Sequence, residues 1–114
     1  MTAQALVADL SAALGPAHVL TAPEDVAPYA IDWRRLFPGA PACVVRPADA
    51  GEVAAVLRVA AAHGASVVPQ GGNTGMAGGA APDASGRQIL LSLARMNRIR
   101  ALDPVGMTIA AEAG

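Results

Sequence analysis

Ten consecutive residues, Gln70-Gly71-Gly72-Asn73-Thr74-Gly75-Met76-Ala77-Gly78-Gly79, hold most of the chemical potential of this chain. Five glycines fall within nine positions, and Asn73 is a residue type that tolerates positive φ, so successive amides can turn to one side. Amides arranged in this way form a concave nest for an anion. The missing Cβ atoms let a pyrophosphate approach the main chain. The side chains of Asn73 and Thr74 can add hydrogen bonds, so the loop suits a diphosphate ligand.

Two common diphosphate motifs do not fit. The Rossmann fingerprint needs glycines at i, i+2 and i+5, and no trio in this loop has that spacing. It also needs a helix to open at the loop, whereas Ala77 to Ser85 is rich in Gly and Pro. A P-loop needs Lys before Ser or Thr, and the chain has no Lys. A flexible connection without a ligand is the competing reading. It loses ground because ligand loops sit at the carboxyl ends of parallel strands.

Other reactive residues are better explained by structure. His18 and His63 lack a ligand spacing and read as loop or helix-end residues. Cys43 is the single cysteine; it excludes an internal disulfide and lies in an apolar run, where it reads as inert packing. Asp49 and Glu52 read as a helix cap rather than a paired acid and base.

The elements that must position the loop follow from periodicity. Leu6, Val7, Leu10 and Leu14 share one face of a helix over 3–14, stopped by Gly15-Pro16. The chain's three aromatics, Tyr29, Trp33 and Phe37, fall within nine residues and predict a small cluster pinning an irregular segment. Ala42–Val45 predicts a buried strand. A capping box at Asp49 and Glu52 opens a helix with Val53, Val56, Leu57 and Ala60 toward the sheet, and Gly64 stops it. Ser66–Pro69 is a second buried strand, so 42–69 predicts a parallel strand–helix–strand unit with a right-handed crossover and its two strands as neighbours.

After the aperiodic stretch 70–88, Ile89–Leu93 is a third apolar run, followed by a helical turn over Ala94–Asn97. Arg98–Leu102 and Met107–Glu112 predict two strands around a turn at 103–106. The last residue, Gly114, directly follows a strand, which reads as a truncation. The expected class is α+β: a small parallel βαβ subdomain followed by the first strands of a mainly antiparallel one. Residues 1–41 are expected to form a helix and aromatic-pinned loop, and 42–114 the start of a binding domain.

Composition narrows the function. Hydrophobic residues make up 54% and charged residues 15%, which excludes disorder, and the apolar excess is mostly Ala. Net charge is −1, and the eight basic residues, all Arg, are scattered, which argues against nucleic acid as a partner. No apolar run reaches membrane-spanning length, and the Ala-rich start lacks a basic region, so the expected location is the cytoplasm.

At this point the residues match a known family. Pro69–Met76 followed by Gly78-Gly79 resembles the flavin pyrophosphate loop of FAD-linked oxidases of the vanillyl-alcohol oxidase/p-cresol methylhydroxylase type. Asp32-Trp33, ahead of the first strand, and Ser92-Leu93-Ala94-Arg95-Met96-Asn97-Arg98-Ile99 are similar to the D-2-hydroxyglutarate and D-lactate dehydrogenase branch. The likeness runs from about Gly15 to Gly114.

The resemblance implies that Pro69, Gly71, Gly72, Asn73, Thr74 and Gly75 hold the FAD diphosphate, and that Gly78 and Gly79 continue the cleft. Ser92 and Gly114 are weaker candidates near the flavin, with a structural Ser in a strand the equal alternative; Arg95 and Arg98 read as surface charges on a turn, one of which could reach a flavin phosphate. Relatives with covalent FAD at this loop carry His where this chain has Asn73, so the expected attachment is non-covalent. The implied intact enzyme oxidises a D-2-hydroxy acid and passes electrons to an acceptor. Its catalytic residues, and a metal site in some members, lie in a later domain, so no catalytic or metal residue is expected here. An oxidase of glycolate or an alcohol in the same family, and a non-catalytic βαβ module, are the alternatives. The segment alone is expected to hold FAD weakly or not at all, and strands after Ile89 to leave an unpaired edge that invites self-association.

Overall fold

The computed structural model describes residues 2–114. The elements run α1 (Ala3–Leu14), β1 (Val19–Leu20), α2 (Pro23–Val26), β2 (Cys43–Val45), α3 (Ala50–His63), β3 (Ser66–Gln70), β4 (Gln88–Ser92), β5 (Ile99–Asp103) and β6 (Thr108–Ala111), with 3-10 turns at Pro16–His18 and Ala27–Tyr29.

Each long helix is punctuated by local chemistry. The Thr2 hydroxyl accepts from the Ala5 amide at the start of α1. At α3, Asp49 Oδ1 accepts from the Glu52 amide at 2.8 Å, and Glu52 Oε2 accepts in return from the Ala48 amide at 2.7 Å. The return bond thus reaches one residue further back than the usual capping box. Gly64 closes α3 in the left-handed region at φ 63°.

Four strands form one sheet in the order β1-β2-β4-β3. β2 and β3 both run parallel to β4, while β1 is antiparallel to β2. The strand–helix–strand unit is therefore parallel, but its strands are not neighbours, because β4 lies between them. The residues explain the order. Ile89, Leu90 and Leu91 are apolar toward both faces and almost fully buried, as a central parallel strand requires. β3 contains Pro69, which lacks an amide donor and suits an edge.

The two faces of the sheet are covered differently. Cys43, Val45, Ile89 and Leu91 point to the helices and share a core with Leu6, Leu10, Leu14, Val19, Val56 and Ala60. The alternate residues Val44, Val68, Leu90, Gln70 and Ser92 belong to the other face, by register and by the two-residue period of strands. Gln70 reaches from that face to the Tyr29 carbonyl, which lays the irregular segment before β2 over it.

Two packing expectations need correction. Val56 and Ala60 are buried and Val53 half-buried, but Leu57 is 50% exposed. The buried arc of α3 centres on Val56 and runs on to His63, whose Nε2 meets Asp9 Oδ2 of α1 at 2.7 Å; Leu57 lies roughly a quarter turn from Val56, outside that arc. The aromatics also do not form a buried cluster, since Trp33 is 62% and Phe37 44% exposed. Polar ties hold that segment instead. The turn expected at 94–97 is a single one centred on Ala94 and Arg95, closed by the Met96 amide on Leu93 O.

β5 and β6 form a separate two-stranded antiparallel sheet with a register shift between Ile99 and Ala101. Every residue in it is exposed, including Ile99, Leu102 and Ile109. Glu112 organises its open end. Its Oε2 accepts from the Arg98 amide, and its Oε1 accepts from the Arg98 and Arg100 guanidiniums. These contacts, the Arg98 amide first, hold its carboxyl down at about 2, from an ordinary 4.5.

Two outcomes follow from this packing. Val56→Ala is expected to cost about 1–3 kcal/mol and Leu57→Ala less than about 1 kcal/mol, measured by urea unfolding. A folded pKa below the ordinary value means that Glu112 stabilises the ribbon fully above pH 4.5 and loses this as pH falls toward 2. Cross-strand NOEs between Ile99 and Ala111 should fade over that window while those of the four-stranded sheet persist.

Candidate functional site

Three parallel strands end on one edge of the main sheet, and the loop after each begins there. The glycine loop follows β3, and no amide N–H from Gly71 to Gly79 donates to another group of the chain among the described residues. A run of free, exposed main-chain donors at the carboxyl end of a parallel strand is the arrangement that receives an anion.

The five glycines sort into two kinds. A Cβ at Gly71 would sit 2.7 Å from Ala113 O, and one at Gly78, where φ is 80°, would meet the Phe37 ring at 2.8 Å. Packing of the chain itself accounts for both. Gly72, Gly75 and Gly79 have no positive φ, and a Cβ on any of them would meet nothing within 4 Å. Neither backbone strain nor internal packing requires glycine there.

The loop is held from outside. Gln70 is 3% exposed, and its Nε2 donates to Tyr29 O and Ala80 O, both at 3.0 Å, bridging the irregular segment and the far end of the loop. Asn73 sits at φ 55° and its Nδ2 donates to Ile31 O at 2.8 Å. That bond ties the side chain to the 31–37 turn through one of its two amide protons. Asp32 is 2% exposed; its Oδ1 accepts from the Leu36 and Phe37 amides, both at 2.8 Å, while Oδ2 is buried without a partner.

The remaining candidates divide plainly. Pro69 is exposed at the edge of β3, and Thr74 lies exposed within the loop. Ser92 is buried and its hydroxyl accepts from the Ala94 amide, which is a structural role. A Cβ at Gly114 would overlap Leu93 O, so this glycine serves close backbone approach. Arg95 donates to Arg46 O at 2.7 Å, and Arg98 pairs with Glu112, so both are engaged within the chain. Burial pushes the Cys43 thiol up to about 11, leaving it unreactive. Among the described residues no group of His, Cys, Asp and Glu is placed to hold a metal ion. A polar hollow of about 570 Å³ lined by His63, Ser66, Asp83 and Arg87 lies at the amino ends of β3 and β4, away from the loop.

Gln70 and Asp32 are the positioning residues that sequence reasoning missed. The available signals were a polar residue closing an apolar strand directly before glycine, and an Asp preceding an aperiodic turn.

The comparisons with known proteins bear on this geometry. A family model described as FAD binding domain matches residues 41–114. The chain belongs to the FAD binding domain family. It is 38% identical over 99 residues to mitochondrial D-2-hydroxyglutarate dehydrogenase of Bos taurus, covering 87% of this chain and 18% of that protein. It is 33% identical over 114 residues to D-2-hydroxyglutarate dehydrogenase of Stutzerimonas stutzeri, covering all of this chain and 24% of the relative. Its fold matches p-cresol methylhydroxylase at TM-score 0.72 and 23% identity, over 90% of this chain and 20% of that one. Alkyldihydroxyacetonephosphate synthase matches at TM-score 0.78 and 20% identity, over 97% and 22%. The chain thus spans about a fifth of the length of these proteins. Some relatives are named as mitochondrial and others are not, so the likeness leaves the expected cytoplasmic location undecided; no described helix is long and apolar enough to cross a membrane.

Gln70→Ala should orphan two carbonyls beneath the loop and cost about 1–3 kcal/mol. Hydrogen exchange at the Ala81 amide, which donates to Gly78 O, is expected to quicken in step.

Proposed function

We propose that this chain is the diphosphate-binding part of the FAD site in a flavin-dependent D-2-hydroxy-acid dehydrogenase. The observation that carries it is the loop itself: unbonded amides over 71–79, with three glycines that the fold does not need. Gly72, Asn73, Thr74, Gly75 and Gly79 would meet the diphosphate through main-chain amides and the Thr74 hydroxyl. Gly71 and Gly78 would set the backbone path, and Pro69 would lead into it. FAD, when bound, supplies the electron acceptor for a C–H bond beside a hydroxyl. This chain's residues would bind and orient it.

The substrate class rests on the relatives' names, several of which read D-2-hydroxyglutarate dehydrogenase. An oxidase of glycolate or an alcohol on the same fold is the alternative. Attachment is proposed to be non-covalent at this loop, since an Asn amide forms no flavin bond and Asn73 is turned toward Ile31. Residues 1–41 are proposed as an accessory helix and turn, and 42–114 as the opening of the FAD domain. The exposed apolar β5–β6 ribbon supports self-association of this segment when it stands alone.

In a full-length enzyme carrying this segment, Gly72→Val should abolish flavin retention and leave the circular dichroism spectrum unchanged, because the new side chain fills space the fold leaves open. Full flavin content in that variant would overturn the assignment. For the 114-residue segment, weak FAD binding and no turnover of D-2-hydroxy acids are expected, since a ligand site normally encloses most of the ligand and this one is open. Saturable micromolar binding in a flavin fluorescence titration would contradict this.

A further inference from the structure

The glycine loop carries no charge of its own, and the chain contains no Lys. A diphosphate brought to it would have its negative charges met only by amide dipoles. The 31–37 turn carries two cations, Arg34 and Arg35. That turn is fixed against the loop at two points, through Ile31 O on Asn73 Nδ2 and through the Phe37 ring beside Gly78. Its middle therefore runs alongside residues 73–78.

Three features of the middle stand out. Arg34 and Arg35 are both exposed, and neither guanidinium makes an ion pair or hydrogen bond among the described residues. Arg95, Arg98 and Arg100, by contrast, all have partners in the chain. Arg35 occupies the left-handed region at φ 59°, with its amide donating to Asp32 O at 2.9 Å. An L-residue is strained there and glycine would not be, so the backbone alone favours losing this side chain. Asp32 keeps its carboxylate inside the turn on the Leu36 and Phe37 amides, which leaves the outer surface to the two guanidiniums.

We infer that the 31–37 turn is the second wall of the diphosphate site, with Arg34 and Arg35 as its cationic contacts. The inference rests on reading the glycine loop as the diphosphate site. Guanidinium matches phosphate oxygens in a two-pronged way that an ammonium does not, and its charge is permanent. The loop then supplies shape and directed amides, and the turn supplies charge.

The test is a millimolar titration of inorganic pyrophosphate, and separately of FAD, into the 114-residue chain, followed by amide NMR shifts. Arg34→Gln and Arg35→Gly are compared with Gly72→Val and with Arg58→Ala, a charge-matched control on the exposed side of α3. The expected result is weakening of about three- to fivefold for each turn variant and on the order of tenfold for both together. Arg58→Ala should bind as the unaltered chain does. Arg35→Gly should also unfold at an equal or higher temperature, because strain is relieved; a structural role would lower it and leave affinity alone. Arg34→Gln carries the test where Arg35→Gly perturbs the turn.

Equal affinity in both turn variants, with binding lost in Gly72→Val, would overturn the inference and leave the loop assignment standing. Equal weakening by Arg58→Ala would overturn it too, reducing the effect to overall charge. If neither pyrophosphate nor FAD moves any amide of 71–79 in the unaltered chain, the inference falls, while the loop reading still stands or falls on Gly72→Val in the full-length enzyme.

Discussion

Main-chain hydrogen bonds from both edges of β4 hold β2 and β3 parallel in one sheet, and the site is built on that ladder. With β4 in the centre, the carboxyl ends of three parallel strands share an edge. The loops that follow them, at Arg46-Pro47, at 71–79 and at 93–97, are brought together there although long stretches of sequence separate them. Arg95 shows the consequence, since it crosses from the third loop to the carbonyl of Arg46 in the first. A β2–β3 pairing would have placed the glycine loop beside the Arg46 loop and left β4 at an edge. The apolar character of β4 on both faces makes that arrangement costly.

The two faces of the sheet are stabilised in different ways, and this decides where flexibility is allowed. The helix face is closed by Leu6, Leu10, Val56 and Ala60, side chains at helical spacing from continuous elements. The opposite face is closed by irregular backbone, which must find hydrogen-bond partners for its own amides and carbonyls. Gln70 and Asn73 supply donors from the sheet side. Asp32 satisfies amides within the segment itself. Buried polar side chains thus do here what apolar ones do on the other face.

That difference also explains what was legible in the sequence. Helices α1 and α3, the apolar strands and the β5–β6 hairpin follow from periodicity, caps and turn residues, all local signals. The place of β4 in the sheet was not local, because a two-residue period says which face a side chain takes and nothing about the neighbouring strand. Leu57 fits the helical template as well as Val53 does; only the approach of α1 near His63 decides between them. At the candidate site, glycine spacing marked the loop, but not which glycines the packing of the chain itself requires. The aromatics drew the eye to residues 29–37, whereas the residue that organises them is a buried Asp. Its two hydrogen bonds are to amides four and five residues on, a pattern that no composition rule reveals.

The family model and structural dependence draw different boundaries, although relatives align over the whole chain. The family match begins at residue 41, just before β2. Yet the glycine loop takes support from Tyr29, Ile31 and Phe37, all upstream of that point, and from Ala113 near the other end. β1 adds a strand to the sheet, and α1 fills much of its core. A loop whose amides bond to nothing in the chain has no internal reason to keep one shape, so its path is set by whatever touches its ends. Three of those contacts, at Tyr29, Ile31 and Phe37, come from the N-terminal segment. The first forty residues therefore bear on the candidate site in a physical sense: through Tyr29, Ile31 and Phe37 they hold the strand end and loop on which the proposed diphosphate contacts lie.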